Sequence, residues 1–180
     1  ALPIFILLLI QAGGLGILTF SNMLFLLGTR RIGMRGRMAM EETLGVLPSL
    51  SLKGVLARVF IFTFVCEGVG AVLLTARFAM DYSLPMALWM GVFHSVSAFC
   101  NAGFGLLGTS LVPYSGDLLV NGVVMVLVVL GGLGFIVVED LRMWLVRRGA
   151  RRAVRLSLHS RIVLRTTLLL IVVGAALDRK

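Results

Sequence analysis

FHSVSAFCNAGFGL, residues 93–106, is the most informative stretch of this 180-residue chain. It is apolar, ends in Asn101-Ala102-Gly103-Phe104, and lies between two segments long enough to cross a bilayer. Ser83-Leu84-Pro85 predicts a helix start, with serine as N-cap and proline in the first turn. A helix from there to about residue 100 has about 15 residues and is roughly 22 Å long, short of a hydrocarbon core of about 30 Å. We therefore predict a half-length helix that enters the membrane and turns back.

The turn after this helix has the composition of a cation-binding loop, which we place at residues 101–105 and call the filter. Backbone carbonyls replace the water shell of a cation well, because they are uncharged yet strongly dipolar. Gly103 is the expected pivot, since such a loop needs positive φ, and Asn101, Ala102 and Phe104 would supply carbonyls or brace it. The helix would aim its C-terminus, with about half a negative charge, toward the ion. A simple tight turn between two helices is the alternative.

The composition predicts an all-α polytopic membrane protein. The chain is 59% hydrophobic and 14% charged, with a mean hydropathy of +1.04. Its net charge is +9, but all of the lysines and arginines except Arg77, Arg179 and Lys180 lie in Arg30–Arg58 and Arg142–Arg165, between apolar spans. This pattern is typical of basic loops on the cytoplasmic side of a membrane, and it argues against a nucleic-acid-binding face.

The alternation of apolar and basic segments predicts five regions. They are a last helix of a preceding repeat (1–28), a cytoplasmic link (29–54), a complete helix–pore loop–helix repeat (55–146, with its pore helix at about 84–100), a basic cytoplasmic link (147–160) and a first helix of a next repeat (161–180). The third full span is expected from Leu118 to about Val138. Neither Ala1 nor Asp178-Arg179-Lys180 resembles a natural terminus, so we expect a piece of a longer protein.

Two landmarks recur in the same order and indicate an internal repeat. Gly13-Gly14-Leu15-Gly16 returns as Gly131-Gly132-Leu133-Gly134, and Leu50-Ser51-Leu52-Lys53 returns as Leu156-Ser157-Leu158-His159. Repeats of this kind surround a common axis, with the substrate path at their interface. The Gly-Gly-Leu-Gly motifs would permit close helix approach or a kink beneath the filter.

A few polar residues in the apolar segments are candidates for supporting the filter. Glu67 lies in mid-span, where a carboxylate either attracts cations or serves as a structural partner of groups such as His94 or Ser97; we favour the structural role. His94 is expected to be packed rather than to act as a ligand. Cys66 and Cys100 are expected to be small buried hydrophobes, with Cys100 beside the filter.

Phe93–Leu106, with Gln11–Ile17 upstream and Gly131–Phe135 downstream, resembles the Trk/Ktr/HKT superfamily of potassium uptake proteins, and most closely the bacterial Ktr-type membrane subunit. Ser97–Phe104 resembles the filter of the second repeat. The resemblance implies four non-identical repeats in one chain and permeation of potassium, sometimes sodium, past carbonyls that would here be those of Asn101, Ala102 and Gly103. It also implies a membrane homodimer and a cytosolic nucleotide-binding ring that controls the gate.

Two alternatives remain open. A secondary transporter with broken helices for an anionic substrate would aim helix N-termini at its site. A non-conducting membrane scaffold would not need a filter loop. The sequence contains no nucleophile, metal cluster or acid–base pair that argues for an enzyme, and we expect no cofactor apart from the transported ion.

Overall fold

A computed structural model of the chain describes residues 2–14, 52–106, 108–149 and 156–177. Expectations for the rest of the first span and for most of the two basic links lie outside these residues. Internal contacts divide the chain into one unit of Ala1–Asn22 with Lys53–Gly132 and a second of Met23–Leu52 with Leu133–Lys180.

All regular secondary structure in the described ranges is helical, which confirms the all-α class. The α-helices are α1 (Leu2–Gly14), α2 (Leu52–Phe78), α3 (Leu84–Phe99), α4 (Leu118–Leu133), α5 (Phe135–Gly149) and α6 (Leu158–Leu177), with a 3-10 helix at Val112–Tyr114.

Helix lengths and hydropathies agree with a polytopic membrane protein. Ala57–Phe78 has 22 residues with a mean hydropathy of 2.1, and Leu158–Leu177 has 20 residues with a mean of 1.8, so both are long and apolar enough to cross a bilayer. Helix α4 and the apolar part of α5 would form a third span if the break between them is counted as a bend. Helix α3 has 16 residues, or about 24 Å, which is too short.

The span expected from Leu118 to about Val138 is not one continuous helix. It stops at Leu133 and resumes at Phe135, and Gly134 between them has φ +77°. Glycine is the residue that adopts this conformation without steric cost. The second copy of the Gly-Gly-Leu-Gly motif therefore contains a break in the helix, as its composition allows.

In the first unit, α3 is packed against both α2 and α4. One apolar cluster combines Leu74 and Phe78 of α2 with Ala87 and Met90 of α3, Tyr114 and Val120. Helix α3 approaches α2 closely at Gly91, where a Cβ would lie 2.8 Å from the carbonyl oxygen of Ala71. Every residue from 93 to 99 is buried, so the polar groups of this half-length helix are surrounded by protein, as membrane depth requires.

The segment that contains α3 begins and ends beside the same end of α2. It leaves the end of α2 through a tight turn, in which the Asp81 N–H donates to the carbonyl of Phe78 at 3.0 Å. After the loop the chain returns to the same place, because Asp117 pairs with Arg77 and the Tyr114 hydroxyl donates to Asp81 at 3.0 Å. The segment thus enters and leaves at one end of α2.

In the second unit, α5 and α6 are joined by hydrogen bonds of Asp140. Its carboxylate accepts from the backbone N–H and the hydroxyl of Ser157, at 2.9 and 2.8 Å. The Ser157 hydroxyl in turn accepts from the N–H of Ser160 at 3.2 Å, as an N-cap does. Ser157 of the Leu156-Ser157-Leu158 sequence therefore caps the start of α6.

Candidate functional site

Helix α3 ends in a Schellman motif built on asparagine. Asn101 has φ +54°, its N–H donates to the carbonyl of Ala98 at 3.1 Å, and the N–H of Ala102 donates to the carbonyl of Ser97 at 2.8 Å. These are the two bonds that close a helix with a left-handed residue just past its end, a position that accepts glycine and, less often, asparagine. Gly103 then takes a second positive φ of +71°. The loop expected to depend on one pivot has two.

The Ser97 hydroxyl fixes the far side of this loop. It accepts a hydrogen bond from the N–H of Phe104 at 2.9 Å and donates one to the Phe104 carbonyl at 2.7 Å. Ser97 is 3% exposed, so both bonds are shielded from water. Phe104 is therefore a bracing residue of the loop, while its ring is largely exposed.

The hydrogen bonds orient the loop's amides toward α3. The N–H groups of Asn101, Ala102 and Phe104 all donate to groups of that helix. Within the described residues, no hydrogen bond goes to the carbonyls of Asn101, Ala102 or Gly103. These are the three oxygens expected to bind an ion. A loop with three donors bonded to its own helix and three successive carbonyls unbonded has the polarity that a cation needs.

A cleft of about 300 Å³ lies beside the loop. Its polar lining residues are His94, Ser97, Asn101 and Ser110. The rest of the lining is formed by Gly103, Phe104 and four apolar residues, Ala98, Leu111, Val124 and Val128.

His94 is a packed residue, in agreement with the sequence expectation. Its Nδ1 donates to the carbonyl of Met90 at 2.8 Å, and its ring makes edge contacts with Phe78 and Phe93. The side chain is 3% exposed, and its Nε2 has no hydrogen-bond partner among the described residues.

Glu67 is a structural partner, but of other residues than expected. Its carboxylate accepts from the Gln11 amide at 3.0 Å, and the Cys100 thiol lies 3.8 Å from its other oxygen. The hydroxyl of Ser95, rather than His94 or Ser97, reaches Glu67, and it donates to the backbone carbonyl at 2.7 Å. The carboxylate thus connects α1, α2 and the end of α3. The expected pairing with His94 or Ser97 is wrong, because those two side chains bond within their own segment.

The last turn of α3 also contacts α4 closely. The side-chain amide nitrogen of Asn101 lies 3.4 Å from both the Phe99 carbonyl oxygen and the Val128 carbonyl oxygen. A Cβ at Gly131 would overlap the carbonyl oxygen of Phe99. The contact is therefore available only to glycine, and backbone meets backbone there.

Near the opposite end of α3, a cluster of charged and polar side chains joins the end of α2 to the start of α4. We call it the outer corner: Arg77, Asp81, Tyr114 and Asp117. Arg77 pairs with Asp117 and, at 2.7 Å, with Asp81. Asp117 also caps α4, accepting from the N–H groups of Leu119 and Val120 at 3.0 and 3.1 Å.

The outer corner changes the acidity of two of its members. The N–H of Val120 and then the Arg77 guanidinium hold the pKa of Asp117 below its usual value. Burial, together with the hydrogen bond to Asp81, raises the pKa of Tyr114 to about 12. Asn121 fastens the same turn, donating to the carbonyls of Tyr114, Ser115 and Asp117 at 2.8 to 2.9 Å.

Comparison with known proteins agrees with this architecture. The family described as TrkH, cation transport protein, matches residues 4–177. The chain belongs to the TrkH family. The potassium/sodium uptake protein NtpJ of Enterococcus hirae is 33% identical over 169 residues, 94% of this chain and 36% of that protein. The Ktr system potassium uptake protein B of Bacillus subtilis is 35% identical over 90% of this chain and 35% of its own length. The Vibrio alginolyticus protein of the same name is 34% identical over 97% and 37%.

The family assignment confirms the resemblance stated from the sequence, and it describes a cation transport protein rather than an enzyme. This TrkH-family chain spans little more than a third of the length of these relatives. Its candidate residues form one neighbourhood around the end of α3: the 101–105 loop, Ser97, Cys100 and Glu67. His94 lies one turn further back.

Three residues of the TrkH-family chain make contacts near the loop or the outer corner that were not predicted from the sequence. Gln11 was not singled out as the partner of Glu67, nor Asn101 as a helix terminator and bridge to α4. An asparagine directly after an apolar helix is a known signal for the second of these. Asp117 before an apolar run was likewise a readable N-cap signal.

Proposed function

We propose that this chain supplies one quarter of a potassium filter in the membrane subunit of a TrkH-family transporter. The ion, potassium or in some conditions sodium, would bind the backbone carbonyls of Asn101, Ala102 and Gly103. Three further loops from the rest of the parent protein would complete the site. The names of the relatives, potassium uptake and potassium/sodium uptake proteins, support this choice of ion.

The proposal rests chiefly on one observation: the N–H groups of Asn101, Ala102 and Phe104 are bonded to α3, while three successive carbonyls receive no hydrogen bond from the described residues. The loop also follows the C-terminus of a buried helix, whose partial negative charge favours a cation. A secondary transporter for an anionic substrate would instead present a helix N-terminus. The geometry therefore favours a cation filter over that alternative.

The test uses the full-length parent protein in a strain that lacks its own potassium uptake. Gly103→Ser is expected to lower the ratio of potassium to sodium uptake roughly tenfold, because a side chain at φ +71° carries a strain of about 1–3 kcal/mol. Gly108→Ser is the matched control, since Gly108 lies after the loop in the same connection between α3 and α4, with open space around it and no positive φ. Unchanged uptake and selectivity in Gly103→Ser would contradict the filter assignment.

We further propose a location and partners for the parent protein. The basic segments would face the cytoplasm of a bacterial cell, and the outer corner would face outward. The assembly would be a membrane homodimer with a cytosolic nucleotide-binding ring, as the resemblance implies. Co-purification of the full-length protein with such a ring, and its particle mass in detergent, would test both partners.

A further inference from the structure

The Gly-Gly pairs that begin the two Gly-Gly-Leu-Gly motifs reach the same place in the first unit, the C-terminal end of α3. A Cβ at Gly131 of α4 would overlap the Phe99 carbonyl oxygen. A Cβ at Gly14 of α1 would lie 2.5 Å from the sulfur and 3.1 Å from the Cβ of Cys100. Two helices from opposite ends of this unit's sequence thus approach adjacent residues of one helix end, each through a glycine.

The two helices use different members of the pair. In α4 the first glycine, Gly131, makes the contact, and a Cβ at Gly132 would come no nearer than 3.9 Å to Asn101. In α1 the second glycine, Gly14, makes the contact with the end of α3, and a Cβ at Gly13 would meet nothing within 4 Å. One glycine of each pair is therefore required by the packing seen here, and the other is not.

Helix geometry explains why a pair would be useful. Adjacent residues on an α-helix point about 100° apart, so neighbouring glycines open two different faces of the helix to close approach. Helix α4 follows α3 directly, whereas α1 precedes the whole re-entrant unit. By this reasoning, the helix that ends a repeat, as α4 does, would contact the pore helix of its own repeat through its first glycine. It would contact the pore helix of the next repeat through its second glycine.

We infer that each Gly-Gly pair is a two-sided contact that fits one descending helix between two pore helices. Gly132 would receive the end of the pore helix of the following repeat, and Gly13 that of the preceding repeat. Relatives about two and a half times as long as this chain contain the additional sequence that would supply those helices. The inference rests on the repeat arrangement in the proposed function, and it makes the four glycines positioning residues for the filter.

The test places single alanines in the full-length parent protein at the four glycines: Gly13, Gly14, Gly131 and Gly132. Gly68→Ala and Gly122→Ala are matched controls, because both positions are helical and an added Cβ meets nothing within 4 Å. The measurements are the melting temperature of the purified protein and the ratio of potassium to sodium uptake. All four variants are expected to melt lower and to lower that ratio roughly tenfold, since small misplacements of a site are costly. The two controls should match wild type.

Each outcome bears on the inference. Gly13→Ala and Gly132→Ala behaving like the controls, while Gly14→Ala and Gly131→Ala are impaired, would overturn the two-sided contact. Loss of folded protein in Gly13→Ala or Gly132→Ala, but not in the controls, is the extreme form of the expected result. A wild-type protein that takes up no potassium, together with lower melting of all four variants, would reject the proposed function and leave the packing inference standing.

Discussion

The turn that leads into α3 is joined to the start of α4 by charged and polar side chains of the outer corner, whereas the C-terminal end of α3 is fastened by backbone groups and glycines. The outer corner uses Arg77 against Asp81 and Asp117. The other end uses the Schellman bonds of Asn101 and Ala102 and the close approach of Gly131. The two ends of this segment are thus held in physically different ways.

The difference indicates which end tolerates change. Partly exposed ion pairs contribute little and respond to salt and pH, and neighbouring side chains adjust when one is lost. Backbone contacts without a side chain between them have no such freedom, because an added methyl group must displace a carbonyl. We therefore expect variants at the outer corner to alter stability slightly, and variants at the loop to alter ion selectivity.

The largest effect in this comparison is expected from Ser97→Ala. The change removes both hydrogen bonds to Phe104 and leaves a shielded N–H without its acceptor, at a cost of about 1–3 kcal/mol. If that cost reduces the preference of the filter for binding potassium over sodium, the ratio of potassium to sodium uptake falls by roughly 5- to 150-fold. Uptake of both ions in the deficient strain is the measurement.

Ser95→Ala is the control for this variant. It removes a buried hydroxyl from the same helix, two residues away, but one that bonds Glu67 rather than the loop. It should lower the melting temperature without changing selectivity. Equal selectivity loss in Ser95→Ala and Ser97→Ala would mean that α3 as a whole, and not the bond to Phe104, determines the ratio.

A smaller effect is expected from Arg77→Gln, which breaks the outer corner. The melting temperature should fall by roughly 1–3 °C at low salt, and less at high salt, with selectivity unchanged. Because its pKa is lowered in the folded protein, Asp117 stabilises the fold above its unfolded pKa near 3.9 and loses this contribution as pH falls through its lower folded value. Without Arg77, the folded pKa of Asp117 should be less depressed, so the loss should be smaller and complete at a higher pH. Changed selectivity in this variant would contradict the separation of the two ends.

The sequence predicted features that depend on local pattern. Hydropathy and length predicted α2 and α6 to within a few residues, and Ser83 with Pro85 predicted the start of α3 at Leu84. The shortness of α3 followed from the polar loop after it. These signals are carried by neighbouring residues, so a single chain is enough to read them.

The contacts that build the site were not predictable in the same way. The partner of Glu67 is Gln11, 56 residues away, and the partner of Arg77 is Asp117, 40 residues away. Many polar residues were equally available to each, and packing alone selects among them. The positive φ of Asn101 was not predicted, because glycine is the usual residue in that conformation and asparagine is only the next most common.

The smallest expected effect comes from Tyr114→Phe, which removes one hydroxyl from the outer corner and retains the ring that packs on Phe78. The pKa of Tyr114, raised to about 12 in the folded protein against an ordinary value near 10, means that the hydroxyl stabilises the fold fully below about pH 10. That contribution is lost as pH rises through about 12. The variant should therefore melt roughly 1 °C below wild type near neutral pH, with the gap closing above about pH 10.

Melting curves of both proteins across this range measure the gap, and a gap that stays constant to pH 12 would mean that the hydroxyl does not bond Asp81. Because the hydroxyl lies at the end of α3 opposite the 101–105 loop, the ratio of potassium to sodium uptake should be the same in both proteins at every pH.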